Sequence, residues 1–225
     1  MAESGAAIIV GVGPGLGASL GRRFAAAGFT VALASRTKDK VARIAAGIDG
    51  AQGYAVDAVD EGAVGGLFDT VEAELGPVEV CVFNASGRVR ASFLDINTEE
   101  FVAAWKSSCL GGFVVGREAA RRMLPRGHGT ILLTGATASI KGFALSAGFA
   151  TGKFGLRGMA QSMARELHPQ GIHVAHVVVD GGIGRDDGGA RLDPDAIAET
   201  YYQLHRQPRS IWAQEIELRP WVEKF

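Results

Sequence analysis

Short, almost purely apolar runs alternate with longer amphipathic stretches along the whole sequence. The apolar runs cover residues 6–10, 30–34, 51–56, 78–83, 130–134 and 172–179, with a shorter one near 211–218. Between them the sequence predicts helices over 15–27, 38–46, 61–75, 98–123, 148–168 and 194–205. A strand that is apolar on both faces must be covered on both faces. Strand–helix alternation makes such a sheet parallel. Right-handed crossovers then wind it in both directions. The expected architecture is therefore α/β: a Rossmann-type doubly wound parallel sheet of about seven strands with helices on both faces. No linker, repeat or low-complexity tract interrupts the pattern, so residues 1–225 read as one domain.

Glycine is abundant, at 32 of 225 residues. No Gly-x-y repeat accompanies it, and 47% of the chain is hydrophobic, so collagen and a flexible linker are both excluded. The surplus must serve turns, close packing or close approach of backbone to a ligand. A net charge of −1 with no basic patch argues against a nucleic-acid partner. The two cysteines, Cys81 and Cys109, make no disulfide framework, which suits a reducing cytoplasm. The apolar start lacks a basic leader, and no run approaches the roughly 18 apolar residues of a membrane span. A cytoplasmic protein without a membrane partner is expected.

The first strand runs into Gly11-Val12-Gly13-Pro14-Gly15-Leu16-Gly17 and then a helix. Glycines there let the backbone approach a pyrophosphate, and the helix start presents free N–H groups and a positive dipole. The loop's place between first strand and first helix strengthens the reading. With its Gly-x-x-x-Gly-x-Gly spacing, the sequence resembles the short-chain dehydrogenase/reductase family over essentially its whole length. The resemblance makes residues 1–225 a single dinucleotide-binding domain. It implies that Gly11, Gly13, Pro14, Gly15, Leu16 and Gly17 line the cofactor phosphates. In the family an Asp at the place of Ser35 selects NAD. Here Ser35 is followed by Arg36, and a guanidinium suits a 2′-phosphate, so the implied cofactor is NADP. The resemblance further implies that Asp57 and Ala58 meet the adenine. Asn84, Ala85 and Ser86 would run along the cofactor, and Gly181 and Ile183 would meet its carboxamide.

The family's chemistry rests on Tyr-x-x-x-Lys, a Ser and an Asn. Lys153 is in place, and Lys and Tyr positions one turn apart share a helix face. The Tyr position holds Phe149, the Ser position Ala136 and the Asn position Ser108. Lys153 and Ser108 are therefore the catalytic candidates that the resemblance leaves. The only tyrosines are Tyr54, Tyr201 and Tyr202, and none precedes a Lys by four positions. A phenyl ring passes no proton. Substitute donors remain open: a hydroxyl of Thr134, Thr137 or Ser139, a water relay, Asp180, or Tyr201, Tyr202 and His205 on the last helix. A substrate lid is expected at about 184–205, with its charged, Gly-rich part at 185–193. His173 and His176 lie three apart on a strand and so face opposite ways, which makes no metal site.

Two functions follow. One is an NADP-dependent oxidoreductase with a non-standard proton donor and a small-molecule substrate. The other is a catalytically impaired NADP(H)-binding sensor or scaffold. The resemblance also implies a homodimer or homotetramer, paired through the long helix and the Lys153 helix, and through the last strand. Trp212, Trp221 and Phe225 near the C-terminus suit an oligomer contact or core packing equally.

Overall fold

A computed structural model describes residues 5–185 and 188–222. Asp186 and Asp187, within the expected lid, and Phe225 of the C-terminal contact lie outside the described residues. The seven strands are β1 (Ala6–Val10), β2 (Thr30–Ser35), β3 (Ala51–Ala55), β4 (Val78–Phe83), β5 (Gly129–Thr134), β6 (Ile172–Val179) and β7 (Glu215–Leu218). They form one sheet in the order β3-β2-β1-β4-β5-β6-β7. Every pairing in it is parallel. The helices are α1 (Leu16–Ala26), α2 (Lys38–Ala45), α3 (Glu61–Glu74), α4 (Thr98–Trp105), α5 (Gly111–Met123), α6 (Ala147–Leu167) and α7 (Pro194–His205).

Side chains alternate across a strand, so β1 feeds two cores. Ile8 and Val10 pack with Phe68 of α3, Val115 of α5 and Leu156 of α6. Ile9 packs on the other face with Leu20 and Phe24 of α1, Val41 of α2 and Tyr201 of α7. Winding reverses between β1 and β4. In an open parallel sheet the crevice outside the strand ends at that reversal is where ligands bind.

Two elements differ from the sequence expectation. The helix expected over 98–123 is broken by a π-helical turn, Lys106–Leu110, between α4 and α5. Gly111 and Gly112 follow it, and a Cβ on Gly112 would stand 2.4 Å from Leu156 Cδ1 of α6. The extra residue in the turn brings this glycine face against α6. The last strand begins only at Glu215, because Trp212 is used differently. Its indole stacks on His173 at 4.8 Å and donates from Nε1 to Gln207 O at 3.0 Å.

Candidate dinucleotide and active site

The β1–α1 turn is shaped by glycines that admit no substitute. Gly11 has φ +92°, and a Cβ there would meet Ala85 N at 2.2 Å. Asn84 closes the same contact by donating from Nδ2 to Gly11 O at 3.1 Å and from its backbone N to Val10 O at 2.7 Å. A Cβ on Gly17 would lie 2.8 Å from Val12 Cα, so the start of α1 sits directly on the turn. Gly13 and Gly15 differ, for a Cβ on either would meet nothing within 4 Å. They leave open space above the start of α1, where no side chain caps the first N–H groups and no acid occupies the first turn. Bare amides, a positive helix end and a cradle without side chains together fit a phosphate.

Two adjoining cavities extend from this turn. The first, about 280 Å³, is lined among others by Ser35, Arg36, Thr37, Lys40, Asp57, Ala58, Ala85 and Ser107. The second, about 470 Å³, is lined among others by Gly15, Leu16, Gly17, Arg88, Thr134, Ala136, Phe149, Lys153, Gly181 and Ile183. Gly11, Gly13, Asn84 and Ser86 line both, so a single groove follows the ends of the strands. It contains every cofactor residue expected from sequence except Pro14, which is exposed and lines neither cavity. Thr37, Lys40 and Arg88 were not anticipated. Lys40 lies in the first turn of α2, shortly after Arg36, and a second cation so near the expected phosphate site could have flagged it.

Lys153 is 3% exposed. Its Nζ donates to Thr134 O at 2.7 Å. Burial disfavours the ammonium and lowers its pKa to about 8. Phe149 lies one turn earlier on the same face of α6 and lines the same cavity, with Ala136 also in the wall. Ser108 does not reach the lining. It is buried in the π-helical turn, where Oγ accepts from Gly87 N at 3.1 Å, so it supports the loop after β4 instead of facing a substrate.

Of the substitute donors considered from sequence, Thr134 lines the second cavity, and the other side chains are engaged elsewhere. The Tyr201 hydroxyl donates to Thr134 Oγ1 at 2.8 Å in the core, and burial raises its pKa. The Arg23 guanidinium covers the Tyr202 ring at 3.6 Å. His205 Nδ1 meets Thr130 Oγ1 at 2.9 Å. α7, expected within the lid, instead packs on α1, where Arg22 pairs with Asp195 at 2.9 Å and Arg23 with Glu199. Asp180 is buried, as a substitute acid would need, but Oδ1 accepts from Thr137 and Oδ2 from Arg219. Ser139 Oγ accepts from Ala136 N at 3.1 Å, turned away from the cavity. No tyrosine lines the groove.

Beneath Gly135 lies His176, fully buried. Its Nδ1 meets Glu215 at 2.9 Å, and Arg157 clamps the same carboxylate at 2.6 and 2.8 Å. Burial lowers the His176 pKa to about 4. Nε2 has no hydrogen-bond partner among the described residues. No three His, Cys, Asp or Glu among the described residues gather as metal ligands, and no described helix is long and apolar enough to cross a membrane.

The fold is a Rossmann-type doubly wound parallel sheet, and the groove along its strand ends has the bare amides and open cradle that fit a dinucleotide. The sequence profile of the family described as short chain dehydrogenase matches residues 5–183, and the chain belongs to that family. Its members use NAD or NADP. It is 33% identical to the 3-oxoacyl-[acyl-carrier-protein] reductase MabA of Mycobacterium avium, over 77% of this chain and 65% of that protein. The chain thus spans just under two thirds of that relative's length. A solved short-chain dehydrogenase from Rhodopseudomonas palustris superposes with a TM-score of 0.88 and 39% identity, covering 97% of this chain and all of the other. A metagenomic short-chain oxidoreductase in complex with NADP shares the fold, with a TM-score of 0.86 and 24% identity. There 99% of this chain and 100% of that one are covered.

Proposed function

We propose that this protein is an NADP-dependent oxidoreductase that transfers hydride without a tyrosine proton donor. The cofactor choice rests on Arg36 and Lys40, two cations beside Ser35 in the first cavity, neither paired with a carboxylate among the described residues. A 2′-phosphate satisfies both charges, and a 2′-hydroxyl satisfies neither. The open cradle at Gly13 and Gly15 supports the same assignment for the pyrophosphate. Asp57 and Ala58 would hold the adenine, Lys153 the nicotinamide ribose, and Gly181 and Ile183 the carboxamide. When bound, the nicotinamide supplies or accepts the hydride.

The chain's own residues then orient the reactants and shield them. Phe149 and Ala136 occupy the positions of the family's Tyr and Ser, and neither exchanges a proton. A positioned general acid is worth about 10²–10⁴-fold in rate. Its loss leaves placement and hydride transfer intact, with the proton delivered by water admitted through the cavity. Fluorescence titration of NADPH and NADH against wild type and Arg36→Ala tests the cofactor choice. Wild type should prefer NADPH by at least about tenfold, and Arg36→Ala should lose most of that preference. Equal affinities would overturn it. A panel of carbonyls, imines and activated alkenes tests catalysis. Tight NADPH binding with none of them consumed would leave a cofactor sensor in place of an enzyme.

A further inference from the structure

Arg88 is a cation in the second cavity to which the cofactor reading above gives no role. It follows Gly87, whose amide is fixed on Ser108 Oγ at 3.1 Å. Its guanidinium carbon lies 5.3 Å from the centroid of the Phe149 ring. The negative face of an aromatic ring attracts and orients a guanidinium. Arg88 is exposed, and it makes no ion pair with any carboxylate of the described residues. Lys153 is the other cation in the wall, and no Asp or Glu lines this cavity. Asp180, between the lining residues Val179 and Gly181, has both oxygens occupied by Thr137 and Arg219.

A guanidinium that is oriented, open to a cavity and unpaired presents a fork of N–H donors matched to a carboxylate or phosphate. Phe149 marks the side of the cavity from which the family's Tyr would meet the substrate oxygen. We infer that Arg88 selects the substrate: the cavity takes a small oxo compound carrying an anionic group close to its reducible carbonyl, with that anion on the Arg88 fork. This rests on the oxidoreductase reading above.

Calorimetric titration of the NADP⁺-loaded protein tests it without turnover. One arm compares pyruvate, 2-oxobutyrate and phenylglyoxylate with their methyl esters. The other compares dihydroxyacetone phosphate with dihydroxyacetone, so that carboxylate and phosphate are separated. In at least one arm the anion should bind tenfold or more tighter than its neutral partner. Arg88→Gln should abolish the difference, and Arg88→Lys should restore part of it. Retained NADP⁺ affinity and an unchanged circular dichroism spectrum certify the fold of both variants.

Equal binding of anion and neutral partner, no binding of any ligand, or a preference unaltered in Arg88→Gln would each overturn the inference. A loss in Arg88→Gln that is the same for acids and esters would overturn it too, because it would place Arg88 on the substrate oxygen. Failure of the wild type to bind NADP⁺ appears in the first titration and strikes the cofactor reading itself, taking this inference with it.

Discussion

Lys153 carries its charge where charge is disfavoured. It is almost fully buried, its ammonium donates to the Thr134 carbonyl, and its pKa falls from 10.5 to about 8. A shift of that size corresponds to about 3 kcal/mol against the ammonium in the fold. The unfolded chain binds more protons between pH 8 and 10.5. Stability therefore rises with pH across that window, and the full cost is present below pH 8. Lys153→Met removes the cost but leaves the Thr134 carbonyl unpaired, an opposing loss of about 1–3 kcal/mol. The net expectation is a variant as stable as wild type or up to about 2 kcal/mol more stable at pH 7. Calorimetry should show its advantage shrinking as pH climbs from 8 to 10. NADPH affinity should drop together with the ribose contact. A variant less stable at pH 7 that still binds NADPH normally would show Lys153 to be a structural residue. This is the pattern of a site that holds a destabilised group for its function.

At the scale of elements, the end of β5, the π-helical turn and the first turns of α6 form one unit. Gly152 approaches the π-helical turn so closely that a Cβ would stand 2.7 Å from Ser108 Cβ. This packing sets where residues 149 and 153 face. On the function proposed above, this backbone would serve the family's chemistry if Tyr and Ser stood at 149 and 136, where the chain has Phe and Ala. Phe149→Tyr combined with Ala136→Ser should raise NADPH-dependent reduction of an accepted carbonyl by about 10²–10⁴-fold, the usual worth of a general acid. A double variant that binds NADPH yet gains nothing would mean that the unit has shifted and the ring does not face the reacting atoms. Much of this unit was legible in advance. Continuous apolar runs place the buried strands within a residue or two, and the Gly11–Gly17 spacing places the phosphate turn. The π-helical turn was not legible, because one extra residue leaves the apolar period of 98–123 almost unchanged. Arg88 was not legible either. A loop residue has no period, and its meaning comes from Phe149, which is distant in sequence. Asp180 shows the opposite error: it stood among the substitute donors, but its partner Arg219 lies beyond the next helix and strand.

For the whole molecule, the groove occupies one end of the sheet, and the outer surface of α5 and α6 is left to other uses. Phe113 of α5 and Phe154 of α6 are 40% and 44% exposed. α6 thus turns Lys153 inward and the adjacent Phe154 outward. Phe113, Ala120, Leu124, Met163 and Leu167 line a shallow apolar groove of about 300 Å³, with Arg117, Arg121 and Glu166 also in its walls. We propose that this face pairs with a second copy of the chain, giving a homodimer or homotetramer. A two-fold axis would bring both signs of charge against their counterparts. Aromatic anchors at the centre of such an interface cost about 2 kcal/mol or more when removed. Phe113→Asp with Phe154→Asp should therefore weaken association by about 100-fold or more. Light scattering at micromolar concentration should find wild type as dimer or tetramer and the double variant as monomer. NADPH affinity should stay within about twofold, because neither residue lines the groove at the strand ends. A monomeric wild type would refute the pairing, and so would a double variant that remains associated. Loss of NADPH binding on dissociation would instead show that the partner helps to hold α6, and with it Lys153, in place.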